Sequence, residues 1–166
     1  MSDVTLEYSV FGVSNPFSIA ANVTETFTDR YLYVAPGATL KIRDGQTVKY
    51  KKLLRHEAGA DIDTFQHMQF PNSPSEDPLR SFLEVQALGS YYQRPGITIQ
   101  KHRSLYQLDS GVHAYFCQFT VRGTLHTNLT LTSRNVPNLL KAREGLQLIE
   151  SNKSFALFLL DNVSFP

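Results

Sequence analysis

The sequence contains no tryptophan, only one cysteine, and no apolar run close to the ~18 residues that a membrane-spanning helix needs. A single cysteine, Cys117, excludes an internal disulfide and a cysteine-rich metal site, and its apolar neighbours favour a buried structural thiol. The five histidines form neither an HxH nor an HExxH spacing, which disfavours a zinc site. The sequence also lacks a phosphate-binding glycine loop, a dinucleotide fingerprint and a nucleophile elbow. No complete catalytic signature is therefore present.

Charge is nearly balanced, with 16 basic and 15 acidic residues among 166. Binding of nucleic acid or phosphate would therefore depend on the local placement of cations, since the overall field is weak. A chain of this length suits one domain, residues 1–166, with a substantial core. The first residues show no basic region followed by an apolar segment, so we expect an intracellular protein, nuclear or cytoplasmic, with no membrane partner.

Capping residues beside proline predict three helix starts, at Asn15-Pro16, Asp77-Pro78 and Asn135-Val136-Pro137. The first helical pattern covers 17–27 and the second ends at Gly89. Residues 72–77 are typical of a loop. Alternation at period two predicts strands at 5–12, 30–34, 38–43, 46–54, 96–108, 112–122, 125–132 and 155–165. This order predicts the α+β class, with an antiparallel β-barrel or strongly curved sheet of about eight strands and two or three helices.

The last predicted strand, 155–165, is apolar on both faces. Such a strand is buried in the centre of a sheet or covered by another protein. This segment therefore favours an interaction protein.

Residues 37–55 hold six of the sixteen lysines and arginines and form a predicted hairpin. A three-residue loop at 43–45, with Gly45 left-handed and Arg43 at the tip, pairs Ile42 with Gln46. This register puts apolar and cationic side chains on opposite faces, namely Leu40, Ile42, Val48 and Tyr50 against Lys41, Lys49 and Lys51. Lys101 and Arg103 share one face of a later strand. If both cationic faces point inward, a barrel would enclose about six positive charges; if they point outward, they form an ordinary solvated surface.

Three segments carry a resemblance to a known superfamily: LEYSVFG, YLYVAPGATLKIRDGQTVKYKK and IQKHRSLYQLDSGVHAYFCQFTVRG. They resemble the first strand, the basic hairpin and the second basic strand of the CYTH or triphosphate tunnel superfamily. That superfamily includes the fungal- and viral-type RNA 5′-triphosphatases and the non-catalytic Mediator head subunits. Active members hydrolyse triphosphates in a tunnel, where cations hold the phosphates and glutamates hold two divalent metals. The resemblance implies phosphate binding by Lys41, Arg43, Lys49, Lys51, Lys101 and Arg103, and metal binding by Glu7.

The carboxylates of the chain depart from that pattern. Divalent metals need hard oxygen ligands, and alternate residues of a strand share a face. The first strand offers only Glu7 between Thr5 and Ser9, and the polar face of the late strand, Thr124 to Thr132, has no carboxylate. Other acids near the basic strands are Glu57, Asp61, Asp63 and Glu84, and the segment AGADIDTF is predicted to be a solvated loop or edge. No catalytic residue is assigned.

Retained cations and missing carboxylates favour a non-catalytic β-barrel subunit of a transcription or RNA/nucleic-acid-handling complex. It would have protein partners, a cationic interior able to bind phosphate of RNA or a polyphosphate ligand, and no cofactor. The alternative is a triphosphatase that acts on RNA 5′-triphosphate or nucleoside triphosphate and requires Mg²⁺ or Mn²⁺. A third hypothesis is a β-rich viral or structural interaction protein without a ligand.

Overall fold

The structure is a computed structural model and describes residues 2–164. Within these residues the strands are β1 (Ser2–Phe11), β2 (Val23–Ala35), β3 (Ala38–Arg43), β4 (Thr47–Glu57), β5 (Ile62–Pro71), β6 (Ile97–Gln107), β7 (His113–Val121) and β8 (Thr124–Ser133). The α-helices are α1 (Leu79–Val85), α2 (Gly89–Tyr92), α3 (Val136–Gly145) and α4 (Phe155–Asn162). The strands form a closed antiparallel barrel in the order β1, β5, β4, β3, β2, β6, β7, β8. The predicted α+β barrel is confirmed, with one more helix than expected.

Apolar side chains cover the outside of the barrel and polar side chains occupy much of its interior. Leu129 and Leu131 of β8 pack with Leu139 of α3 in one buried cluster. Leu40 of β3 and Val48 of β4 pack with the helices α1 and α2 in another. Because the helices bury the outer faces of these strands, the alternate residues must point inward. These apolar clusters therefore lie between the outer faces of the strands and the helices, and the interior of the barrel remains for polar groups.

Helix α4 packs across one end of the barrel. Its residues Phe158 and Leu159 are buried against Val34, Ile97 and Val121, which lie at or next to the ends of their strands. Phe158 also stacks on Phe11, the last residue of β1, at a centroid distance of 4.4 Å. The helix closes this end because an apolar stripe meets the rim of the strands there.

The first predicted helix, over residues 17–27, is wrong. Asn15 accepts a hydrogen bond from the backbone of Phe17 at 2.9 Å, but residues 16–27 contain no helix. Residues 23–35 are instead strand β2, which pairs with both β3 and β6. The β-branched residues of 23–28 disfavour a helix, and the barrel needs a strand at this position to close.

The predicted strand 155–165 is also wrong, because α4 occupies most of it; its last residue, 165, lies outside the described residues. Ser154 caps the helix by accepting a hydrogen bond from the backbone of Leu157 at 3.2 Å. A short apolar run does not distinguish a buried strand from a buried helix. Conversely, β5 includes the second half of the AGADIDTF segment, where a solvated loop or edge was predicted.

The other two predicted helices form, although α1 ends at Val85 and Gly89 begins α2. Residues 72–77 are a loop, as predicted. No helix within residues 2–164 is long and apolar enough to cross a membrane.

The basic hairpin has the predicted faces but a different register. Arg43 pairs with Thr47 and Ile42 with Val48, so the loop contains residues 44–46. Both Asp44 and Gly45 have positive φ, which shifts the turn by one residue. Arg43 consequently ends β3 and does not lie at the tip. The pairing differs from the predicted one by two residues, and an even shift leaves every side chain on its predicted face.

Candidate functional site

The barrel encloses a cavity of about 700 Å³. All six cations singled out in the sequence line it, two from each of β3, β4 and β6: Lys41, Arg43, Lys49, Lys51, Lys101 and Arg103. The cationic faces therefore point inward, which answers the question left open by the sequence. Their role in phosphate binding stays a prediction.

Asp29 is the main counterion of this interior and was not identified from the sequence. Its carboxylate is fully buried and accepts hydrogen bonds from Lys41 at 2.8 Å, Arg43 at 2.8 and 3.0 Å, and Lys101 at 3.0 Å. Burial alone would raise the pKa of Asp29, but Lys41, Lys101 and Arg43 hold this pKa well below its usual range. Asp29 is therefore an anion that holds three cations of this cavity, hereafter the tunnel, in one cluster.

Aromatic rings support the cations from the wall of the tunnel. The guanidinium of Arg43 lies 3.8 Å from the ring centroid of Phe27. The ammonium groups of Lys51 and Lys101 lie 4.1 and 3.8 Å from the rings of Phe65 and Phe155. A positive charge over an aromatic face is attracted by the ring quadrupole. These contacts keep the cationic groups in place near the axis of the barrel.

Glu7 points into the cavity as expected for the first strand, but protein groups already bind its carboxylate. Lys51 donates a hydrogen bond to it at 2.5 Å, and His67 lies 3.3 Å away. Burial raises the pKa of Glu7, whereas Lys51 and His67 lower it more strongly, to about 2. Glu7 is therefore an ionised partner of Lys51 in this structure. Its assignment as a metal ligand stays a prediction.

The remaining acids do not complete a metal site. Asp63 is buried and lies 2.7 Å from His56, while Asp61 accepts the backbone N–H of Asn152 at 2.7 Å. Glu57 pairs with Arg55, and Glu84 is exposed on α1. Among residues 2–164, no group of three or more His, Cys, Asp or Glu side chains is arranged to hold a metal ion. The donors present therefore do not fit a pair of divalent metals.

Three polar residues of β8 line the cavity where the superfamily pattern places carboxylates: Asn128, Thr130 and Thr132. The amide of Asn128 donates hydrogen bonds to the Ser9 hydroxyl at 2.8 Å and to the Val10 carbonyl at 3.0 Å. The Asn128 amide is therefore satisfied by its neighbours in β1. The inward polar face of the late strand and its lack of carboxylates are as the sequence predicts.

The open end of the tunnel carries charges of its own. Arg134, whose side chain is 80% exposed, lines the cavity and pairs with Asp3 at 2.9 Å. Arg103 binds Glu25 of the adjacent strand through its Nε atom at 2.7 Å. Arg134 could not be selected from the sequence, because it follows β8 and has no alternating neighbour. Both pairs lie toward the strand ends opposite α4, which makes this end the mouth.

Lys49 differs from the other five cations. No carboxylate lies within hydrogen-bond or ion-pair distance of its ammonium group in the described chain. Burial together with Arg43 and Arg103 lowers the pKa of Lys49 from 10.5 to about 8. Lys49 is thus a cation of the cavity without a carboxylate in direct contact among the residues described.

Solved structures with a similar fold include two putative cyclases. One, a putative adenylyl cyclase from Hippeastrum described as having a dominant triphosphatase activity, is 11% identical, with a TM-score of 0.59 and 98% coverage of both chains. Another, a putative adenylate cyclase from Bacillus halodurans, is 9% identical, with a TM-score of 0.59 and coverage of 92% of this chain and 95% of that chain. Neither a protein-family model nor a curated protein matches the sequence. The closed eight-stranded barrel and these similarities show that the chain has the CYTH-like, triphosphate tunnel fold.

Proposed function

We propose that this protein binds the triphosphate group of a ligand inside its barrel. The observation that carries the proposal is the convergence of six lysines and arginines on one cavity, where cations outnumber carboxylates among the described lining residues. A linear triphosphate presents successive anionic oxygens. Lys and Arg can meet them with charge-assisted hydrogen bonds, which are among the strongest that side chains make.

The order of the cations along the tunnel suits an extended anion. Lys49 and Arg103 lie toward the mouth, whereas Lys101 lies deeper, against Phe155 of the closing helix. Lys101 is only 5% exposed and also donates to the Tyr31 hydroxyl at 2.5 Å. A phosphate chain that enters at the mouth would meet Lys49 first and Lys101 last.

Hydrolysis of the bound triphosphate is the second candidate function. The fold comparisons support it better than the complex-subunit hypothesis, because the Hippeastrum protein of similar fold is described as a triphosphatase. Nothing in the comparisons supports a role in transcription or mRNA processing, and that hypothesis stays a prediction. In the hydrolytic hypothesis, Lys101 and Arg103 would stabilise the charge that develops on the phosphates. Because the carboxylates present do not fit two metals, we derive no metal-dependent step.

The binding proposal can be tested with inorganic tripolyphosphate, ATP and 5′-triphosphate RNA by calorimetry and thermal unfolding. Ligand at 100 times Kd should stabilise the fold by about 2.7 kcal/mol through mass action. Lys49→Ala should weaken binding about tenfold. Lys52→Ala removes the same charge from an exposed position next to the hairpin face and should leave binding unchanged. Absence of binding by all three ligands would refute the proposal.

Hydrolysis is tested by phosphate release from the same ligands in Mn²⁺, Mg²⁺ or EDTA. If the tunnel is catalytic, Lys101→Ala and Arg103→Ala should lower turnover by about 100-fold or more while the fold is kept. Full activity in both variants would show that any phosphate release does not take place in the tunnel. No release in any condition, with binding retained, would leave binding alone as the function.

A further inference from the structure

The tunnel uses its carboxylates as counterions for its own cations. Glu7 is held by Lys51 and contacts His67, and Asp29 is held by three cations. At the mouth, Asp3 and Glu25 are paired with Arg134 and Arg103. Each of these four acids, which include all acids lining the cavity in residues 2–164, therefore already has a nitrogen donor from the protein.

A divalent metal at Glu7 would have to replace the closest of these contacts. The ammonium of Lys51 donates a hydrogen bond to the Glu7 carboxylate at 2.5 Å. The same ammonium lies 4.1 Å from the ring centroid of Phe65. Mg²⁺ and Mn²⁺ need several oxygen ligands in near-octahedral order, whereas the partners of the Glu7 carboxylate are a lysine and a histidine, and that histidine also contacts the Thr5 hydroxyl. A metal at this point would also face the displaced positive charge of Lys51.

The cavity is lined by more cations than carboxylates, so the protein itself can compensate part of the charge of a polyphosphate without a metal. Lys49 has no anionic partner at hydrogen-bond distance among the residues described, and Lys51 shares a single carboxylate with His67. Both lie on the same inward face of β4, two residues apart, so their ammonium groups line one side of the tunnel. The protein therefore supplies positive charge in fixed positions for part of the phosphate chain.

We infer that this barrel binds polyphosphate anions in their metal-free form, and that Mg²⁺ weakens this binding by chelating the ligand. The inference rests on the proposed triphosphate-binding function and specifies the ionic form of its ligand. Chelation removes negative charge from the phosphate chain and occupies oxygens that the lysines and arginines would contact. The metal-free anion is thus the better match for a tunnel with excess cations.

The test is calorimetric titration of the wild-type protein with inorganic tripolyphosphate in EDTA and in excess MgCl₂, at matched ionic strength. We expect binding in EDTA and an affinity about tenfold lower in Mg²⁺. Binding in Mg²⁺ that disappears in EDTA would overturn the inference but leave the proposed function intact. Binding in neither condition would instead refute the proposed function. Equal affinity in both conditions would also contradict the inference.

Two further measurements separate the role of Glu7 from a structural one. Glu7→Gln frees Lys51 and should tighten tripolyphosphate binding in EDTA by about three- to tenfold. The matched control Glu84→Gln removes the same charge from an exposed site on α1 and should leave the affinity unchanged. Mn²⁺ titrated into the ligand-free protein should show no loss of its free-ion electron paramagnetic resonance signal. Stoichiometric Mn²⁺ binding that Glu7→Gln abolishes would overturn the inference even if this variant is less stable.

Discussion

The ammonium group of Lys101 lies 3.0 Å from a carboxylate oxygen of Asp29, and the side chains of both residues are almost completely buried. The two residues come from adjacent strands, β6 and β2, and Asp29 joins Lys101 to Lys41 and Arg43 of β3. One acid therefore links three cations from two strands. The strength of this cluster depends on its single negative charge.

Asp29→Asn should lower the free energy of unfolding by about 3–5 kcal/mol, because it leaves buried cations without compensation. Tripolyphosphate should stabilise this variant more than the wild type, since the ligand can restore the missing negative charge. Chemical denaturation with and without ligand measures both effects, with Glu84→Gln as the exposed control. Unchanged stability of Asp29→Asn would contradict the role of Asp29 as the counterion.

Affinity for tripolyphosphate should fall as the pH rises through about 8. Burial, Arg43 and Arg103 lower the pKa of Lys49 from 10.5 to about 8, so this lysine loses its charge within that range. Lys49→Arg keeps its charge because arginine remains protonated, and its affinity should stay flatter between about pH 7 and pH 9.5. Calorimetry of both proteins with the same ligand cancels changes in the ligand's own ionisation. Identical pH profiles would show that Lys49 does not control binding.

Acid should weaken the fold through Glu7. The pKa of this residue is about 2 in the folded protein against 4.5 as its ordinary value, so the folded state favours the ionised form. The resulting stabilisation, about 3 kcal/mol, is complete above pH 4.5 and is lost as the pH falls toward 2. The stability difference between wild type and Glu7→Gln should therefore shrink across this window, as measured by urea denaturation. A difference that stays constant from about pH 6 to pH 3 would contradict the prediction.

The closing helix provides a matched pair for packing. Leu159 is fully buried, whereas the adjacent Leu160 is 38% exposed. Leu159→Ala should cost about 2–5 kcal/mol, through lost transfer energy and the cavity left behind. Leu160→Ala should cost clearly less, as followed by thermal unfolding. Equal losses would mean that α4 does not cover the barrel as the structure shows.

The faces of the strands could be predicted because successive side chains of a strand point to opposite sides, whatever the exact pairing of that strand. The faces of the 37–55 hairpin were correct although its pairing was two residues off, so Lys41, Lys49 and Lys51 could be placed on one face. Whether that face points inward could not be predicted from the sequence. Asp29 could not be predicted as part of the site, because it lies between the helical pattern over 17–27 and the strand predicted over 30–34. Its alternation with Phe27 and Tyr31 was the available signal.

The end of the chain could not be predicted for a different reason. The first six residues of α4 are all apolar, and such a run satisfies both the period of a strand and that of a helix. The tertiary contacts decide between them, since Phe11 and Phe119 at the rim of the barrel offer aromatic partners to Phe158 on one side of a helix. The Ser154 cap was the local feature that favoured the helix.

Within residues 2–164, α4 covers one end of the barrel, so the cavity opens toward the opposite end, where Arg134 lies. A cavity that is closed at one end can admit the terminus of a phosphate chain, but a long chain cannot pass through it. A linear phosphate chain would therefore enter with its terminus first. A cyclic phosphate has no free end and would be excluded from the deep position beside Lys101. Anything released inside would also have to leave through the opening by which the ligand entered.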